Sequence, residues 1–269
     1  MNLISPYTPK SNVYKGSIHF HTTESDGNKT PTEAMTFYKE KGYDFASITD
    51  HNLATADPEV ADILFILGEE YSNPNYKKPH NVWVDVGETQ WVGLAHPLST
   101  DTGTPTLSDL EQYLPDYKHV AVWNTVEDEN YETVIDHFLS LGYQFNIYSE
   151  DDSHSYGANM GLSGVYVYAD SLSKTEIMTN LHAGNYYSFS GGDISDLNIS
   201  VSGTVINVSV GDNSTIEFIT LDGVVSETFT NSKTASFIVR GGDVYCRVRV
   251  TRDSDGAVAW SNPIFVDKN

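Results

Sequence analysis

The sequence predicts a barrel-type α/β domain over residues 1–190, followed by a small antiparallel β-sandwich over residues 191–269. Three observations lead there. Strand-like and helix-like stretches alternate as far as about residue 190. Most residues able to hold a metal ion lie on the last positions of a strand-like run or just after it. From Gly191-Gly192 onward the helical patterns stop, and short alternating runs separated by turn pairs take over. Alternation of the first kind predicts parallel strands joined by crossover helices. Ligand residues at the C-terminal strand ends fit a barrel, where those ends share one mouth. Short strands without helices predict a sandwich.

The elements follow in order. Residues 14–21 read as a strand closing on His19 and His21. Side chains two apart in a strand share a face, so both imidazoles point to one spot. Thr30-Pro31-Thr32-Glu33 carries an N-cap, a proline at the first helical position and a capping-box glutamate. Ala34, Phe37, Tyr38 and Lys41 follow at helical spacing, and Gly42 ends that helix. Residues 45–49 form a short apolar strand ending at Asp50-His51, and residues 63–67 another that runs into Gly68-Glu69-Glu70. Strands are expected at 81–86, at 91–95 before His96-Pro97, and at 120–123 before Asn124. A helix over 131–141 stops at Gly142, and a strand over 144–148 leads to Asp152-Ser153-His154. Ser173-Lys174-Thr175-Glu176 is a second capping box, opening a helix that ends near Gly184. In the tail, runs at 197–201, 205–210, 216–221, 235–239 and 244–250 alternate. Turn pairs such as Gly211-Asp212, Asp222-Gly223 and Gly241-Gly242 separate them.

Composition narrows the function. The formal charge is −22, from 15 basic and 37 acidic residues. No basic face exists to bind nucleic acid or an anionic membrane. The imbalance sits mainly in the first part: residues 1–190 hold 27 acidic side chains against 9 lysines. A pocket of bound metal cations would offset part of it, and a solvated acidic surface aiding solubility explains most of it. The one cysteine, Cys246, rules out an intrachain disulfide or a cysteine-based zinc site and reads as buried packing. No run of about 20 apolar residues is present to span a bilayer, and residues 1–11 lack an apolar signal core. Cytoplasm is the default expectation, although the acidic, Asn/Thr/Tyr-rich composition also suits a secreted or phage-borne protein. Imidazoles and carboxylates converging this densely suit hard-to-borderline divalent metals.

These motifs resemble the PHP (polymerase and histidinol phosphatase) family of metal-dependent phosphoesterases, through residues 15–190. The resemblance rests on the His19-x-His21 strand end, Ser25-Asp26-Gly27 and the run Ile48-Thr49-Asp50-His51-Asn52. More narrowly the chain is similar to the carbaryl-hydrolase-like branch. There Gly68-Glu69-Glu70, His80 before an apolar strand, His96-Pro97, Asn124 and Asp152-Ser153-His154 have counterparts, and a β-sandwich tail follows. The resemblance implies a distorted (β/α)7 TIM-like barrel and two to three divalent ions of Mn, Fe or Zn. It implies that His19, His21, Glu69 and Asp152 hold the first ion. Glu69, with Glu70 adjacent in the same motif, then bridges to a second ion with His80 and His96. Asp26, His51 and His154 complete the cluster. Asp50 and Asn124 are candidates for orienting a ligand or touching substrate, and His154 for a leaving-group acid. His119, His137 and His182 read as surface or core residues.

The expected activity is hydrolysis of a small-molecule or polymer phosphoester. One departure bears on it: residues 1–190 contain no arginine, and Leu98 stands where relatives often carry one after His-Pro. Arginine forks are the favoured bidentate grip on phosphate. A phosphate here would rely on metals, imidazoles, backbone N–H groups or a lysine such as Lys77 or Lys78. A carbamate, ester or amide hydrolase using the same cluster is the alternative, and a non-catalytic metal-braced binding module a third. Oligomeric state is not readable from the sequence.

Overall fold

A computed structural model describes residues 1–72, 80–99 and 103–267 of the chain; Lys77 and Lys78 lie outside the described residues. The strands form two mixed sheets. One carries, in spatial order, Asn146–Glu150, His119–Asn124, Trp91–Leu94, Asn81–Val84 and Gly68–Tyr71. The other runs from Asn2–Ile4 through Ile264–Asp267, Tyr245–Arg252, Val258–Ser261, Tyr186–Ser190, Gly164–Ala169 and Asn12–Ser17 to Phe45–Ala46 and Leu64–Phe65.

Parallel pairing, as expected, joins Asn12–Ser17 to Phe45–Ala46, Phe45–Ala46 to Leu64–Phe65, and His119–Asn124 to both Trp91–Leu94 and Asn146–Glu150. Elsewhere the pairing is antiparallel. Gly68–Tyr71, Asn81–Val84 and Trp91–Leu94 form a meander, and Gly164–Ala169 runs against Asn12–Ser17. The connection 85–90 explains part of the difference. It is a tight turn with Asp85 and Gly87 at φ 62° and 83°, and the Asp85 carboxylate accepts the Thr89 hydroxyl at 2.7 Å. A parallel return needs a crossover of a dozen residues or more.

The expected closed sevenfold ring is not drawn by ladder pairing among the described residues. The two sheets meet instead at single bridges, Phe20 with Ser153 and His51 with Glu70. Backbone bonds flank them: the His21 N–H donates to Ser153 O at 2.9 Å, and the Asn52 N–H to Glu70 O at 2.9 Å. Both bridges join strand ends that carry candidate ligands.

The helices begin where the capping signals place them. Pro31–Glu40 starts after Thr30, whose side chain accepts the Glu33 N–H while Glu33 accepts the Thr30 N–H at 2.9 Å. Lys174–Ala183 is capped by Ser173 and ends at Gly184, in the left-handed region at φ 73°. Its expected reciprocal glutamate is otherwise engaged: Glu176 accepts the Asp170 N–H and pairs with Lys10. A short helix, Leu107–Glu111, opens on a Thr106/Asp109 capping box that the sequence reading did not mark.

Beyond residue 190 the described chain is strand and turn, with one short 3-10 segment at Leu221–Gly223, and two of its strands are far longer than expected. Val205–Thr220 is continuous, with Gly211-Asp212 inside it; the register shifts there between Ser209 and Ser214, so the pair makes a bulge and not a reversal. Its partner Val224–Ile238 is equally long. The sheet does not stop at residue 190. Tyr186–Ser190 pairs with Val258–Ser261, and Asn2–Ile4 with Ile264–Asp267. One apolar cluster accordingly holds Phe20, Tyr38 and Ile48 together with Ile206, Phe218 and Val248. Cys246 is buried in it, as expected. No helix of the described residues is long and apolar enough to cross a membrane.

Candidate metal centre

His19 and His21 extend the strand Asn12–Ser17 to the junction between the sheets, where strand alternation turns both rings inward. Both are fully buried, with their Nε2 atoms 3.3 Å apart. The strand Gly68–Tyr71 comes in beside them. It packs so tightly on residues 47–49 that a Cβ on Gly68 would lie 2.1 Å from Ser47 Oγ. Alternation then decides which glutamate enters. Glu70 points inward and is fully buried, whereas Glu69 lies opposite Trp83 on the other face and is part-exposed.

Glu70, not the expected Glu69, is therefore the hub. Its Oε2 lies 3.2 Å from His19 Nε2 and 3.1 Å from both His21 Nε2 and His51 Nδ1. Its Oε1 lies 2.9 Å from His80 Nδ1 and 3.1 Å from His96 Nε2. Asp152 faces it, with Oδ1 3.1 Å from His21 Nε2 and 3.3 Å from His19 Nε2. His96 and Asp152 both hold the left-handed backbone that side chains disfavour, at φ 24° and 52°. Such strain persists where surrounding structure over-determines it, and it gathers at functional sites.

The rim is more open. The Asp26 side chain is 53% exposed, with carboxylate oxygens 3.4 Å from His154 Nε2 and 3.5 Å from His51 Nε2. The turn that presents it needs its glycine, because a Cβ on Gly27 would sit 2.5 Å from His21 O. His154 stacks on His21 at 4.1 Å, and its Nδ1 donates to Asp152 O at 2.9 Å, leaving Nε2 as the lone-pair atom.

Ligand atoms gather in three sets, each within 4.8 Å: His19, His21, Glu70 and Asp152; His21, Asp26, His51 and His154; and His51, Glu70 and His80. The sets share His21, His51 and Glu70. The structure thus brings together every expected ligand except Glu69, with Glu70 in its place.

Asp50 and Asn124 stand behind the cluster. The buried Asp50 carboxylate accepts the Thr22 N–H and the hydroxyls of Thr22, Ser25 and Thr55. It fixes the turn before Asp26, and Ser25 relays it to His21 Nδ1 at 3.5 Å. Asn124 donates to Asp152 Oδ2 at 2.9 Å and to Glu150 Oε1 at 3.1 Å, and accepts the Glu127 N–H. Neither presents a free group to a substrate.

Glu150 and Ser72 were missed. Glu150 Oε2 lies 2.8 Å from His19 Nδ1, and Ser72 Oγ lies 2.6 Å from His51 Nδ1. The signal for Glu150 was its spacing: Glu150-x-Asp152 repeats the two-residue step of His19-x-His21.

The charges are mutually dependent. Burial alone disfavours the ionised forms of Glu70 and Asp152, yet the surrounding imidazoles hold both carboxyls well below the usual range. Burial likewise opposes a proton on His21 and His96, but their carboxylate neighbours win and raise both to about 9. Glu70 Oε2 is buried among three imidazole nitrogens and makes no hydrogen bond of good geometry. An orphaned carboxylate oxygen in a nitrogen-and-oxygen donor set is the fit expected for a divalent ion.

No family model and no curated protein matches this sequence. Among solved structures, a two-domain protein from Bacteroides vulgatus, described as containing a predicted PHP-like metal-dependent phosphoesterase, matches over 96% of each chain. The identity is 13% and the TM-score 0.56. An amidohydrolase from Chromobacterium violaceum matches over 55% of this chain and 90% of that one at 15% identity, with a TM-score of 0.42 too low to carry a conclusion. The fold is PHP-like, and clusters suited to metal coordination lie at its strand ends.

Proposed function

We propose that this chain is a PHP-type metal-dependent phosphoesterase of the carbaryl-hydrolase-like branch. The observation that carries the reading is Glu70, one buried carboxylate ringed by five imidazoles and faced by Asp152. His19, His21, Glu70 and Asp152 would hold one ion. His80 and His96 would share Glu70 with a second, and Asp26, His51 and His154 would hold a third at the rim. Mn, Fe and Zn all suit this donor set. Bound divalent ions supply Lewis acidity, which lowers the pKa of a water and neutralises charge developing on the attacked group. The chain's own residues do the rest. Asp50 and Asn124 keep the carboxylates oriented. His154, at the open side with its Nδ1 proton held on Asp152 O, presents Nε2 to an ion or to the leaving oxygen.

One observation favours a carbamate, ester or amide substrate instead. Among the described residues, the ion-pair partners of Asp26, Glu70 and Asp152 are all histidines, so no lysine or arginine is seen to grip a phosphate there. The test is metal analysis of chelator-free protein, then assays of an aryl phosphate, a bis-aryl phosphate and an aryl ester with added Mn²⁺. Two or more equivalents of metal and phosphate release that Asp152→Asn abolishes are expected. Turnover of the ester alone would shift the reading to the alternative. Bound metal without hydrolysis of any of the three would favour a binding module, and no metal would end the proposal.

A further inference from the structure

We infer that Glu150 is a positioning residue for the inner ion site. It fixes the tautomer and tilt of His19 while locking His96 and, through Asn124, Asp152 into the same frame. The inference rests on the metal-site reading above and adds a residue to it.

Glu150 is 1% exposed and ends the strand Asn146–Glu150, two residues before Asp152. Both of its oxygens are engaged by nitrogen donors. Oε2 lies 2.8 Å from His19 Nδ1; Oε1 accepts the His96 backbone N–H at 2.8 Å and Asn124 Nδ2 at 3.1 Å. Asn124 passes the contact to Asp152 Oδ2 at 2.9 Å. Glu150 belongs to none of the three ligand sets, which separates it from Glu70 and Asp152. A proton on His19 Nδ1, held by Glu150, makes Nε2 the lone-pair atom. That Nε2 is the nitrogen 3.2 Å from Glu70 and 3.3 Å from Asp152. A carboxylate behind a ligand imidazole raises its basicity and stops ring rotation, and such partners are worth roughly 10–100-fold in metal affinity. The backbone bond to His96 helps keep that residue at its disfavoured φ of 24°.

The selectivity of the contact makes the inference testable. Glu150 touches His19, His96 and Asn124, whereas the rim set of His21, Asp26, His51 and His154 has no recorded bond to it. Glu150→Gln places an amide N–H₂ against donors it cannot accept from. The full-length variant and parent are compared by Co²⁺ titration, following the visible absorption bands and the number of ions bound, with circular dichroism as the folding control. The variant is expected to weaken ion binding at the inner cluster about 10–100-fold with shifted bands, and to keep the rim site of Asp26, His51 and His154 at parental affinity. A folded variant with parental affinity and parental bands would overturn the inference. Parent protein that binds no ion would instead overturn the metal-site reading itself. A second measurement does not depend on the folding of Glu150→Gln. In the Zn²⁺-loaded parent, ¹⁵N chemical shifts should show His19 protonated at Nδ1, the His19→Gln spectrum providing the assignment. A His19 protonated at Nε2 would refute the role of Glu150.

Discussion

A carboxylate sealed from water is costly unless charge or hydrogen bonds replace its hydration. At Glu70 the replacement is five imidazoles, and the same crowding would repel itself if the carboxylate were removed. Glu70→Gln therefore loses the charge and one of the two oxygens of the residue shared by two of the three ligand sets. Its expected effect is a fall in metal affinity beyond the roughly 100-fold that an outer partner is worth. Glu69→Gln, one residue away on the opposite face, touches none of those sets and is expected to bind metal as the parent does, with stability within about 0.5 kcal/mol. Elemental analysis of both variants after gel filtration checks the pair. Equal metal in Glu70→Gln and parent would remove Glu70 from the hub.

At the scale of elements, capping residues and strand-end ligands were legible because each is a local signal. Thr30 with Glu33 marks a helix start whatever surrounds it, and His19-x-His21 shares a face in any strand. Glu69 is the expected ligand because it matches the motif position, yet Glu70 is adjacent and a motif does not say which of the two faces inward. The inward side of Gly68–Tyr71 is set by the strand it packs against, through contacts absent from the local sequence. The meander of 68–94 was read as parallel strands because a hydrophobic run carries no direction. Only the tightness of the turn at Asp85–Gly87 forbids a crossover. His119, at the start of the strand His119–Asn124, lies in none of the three ligand sets and has a consequence of its own. Its Nδ1 lies at hydrogen-bond distance, 3.0 Å, from the Tyr186 hydroxyl, and the ring packs on Trp91. Burial pushes its pKa from 6.5 down to about 3. The unfolded chain binds a proton that the folded strand refuses, so stability is full above about pH 6.5 and is lost as pH falls toward 3. The loss attributable to this group reaches about 3 kcal/mol near pH 4. His119→Gln keeps a side chain that can donate to or accept from Tyr186 and cannot titrate. Urea unfolding of parent and variant between about pH 7 and pH 4 should give a shallower slope for the variant. Parallel curves would show that His119 carries no such penalty.

For the whole molecule, the question is whether the β-rich tail is an appendage or part of one cooperative body. Strands from either side of residue 190 share a sheet, and a buried ion cluster ties the tail to the helix Glu132–Ser140. Arg247, 1% exposed on the strand Tyr245–Arg252, donates to Asp136 through Nε at 2.8 Å and Nη2 at 2.6 Å, and pairs with Glu132 at 2.7 Å. Arg249 joins the same Glu132 at 3.0 Å and Glu217 at 2.7 Å, and the Tyr245 hydroxyl donates to Asp136. Burial alone would raise the Glu132 carboxyl, but Arg247, Asn130 and Arg249 hold it down at about 2. Compared with packed hydrophobes, a buried ion cluster adds little net stability. Breaking one partner is a different matter, because it strands the other charges without water. Arg247→Met leaves Asp136 with the Tyr245 hydroxyl and no cation among the described residues, and Glu132 with Arg249 as its remaining cation, and is expected to cost about 3–5 kcal/mol. Adding Asp136→Asn and Glu132→Gln to it removes the stranded charges and should recover part of the loss. Because the cluster and the shared sheet connect both halves, the parent should unfold in one urea transition seen alike by tryptophan fluorescence and far-UV circular dichroism. The triple variant should keep that single transition at a midpoint between those of the parent and Arg247→Met. Two separated transitions in the parent would mean that the tail folds independently, and that the ions at its base fasten it to the rest without making it part of the same unit.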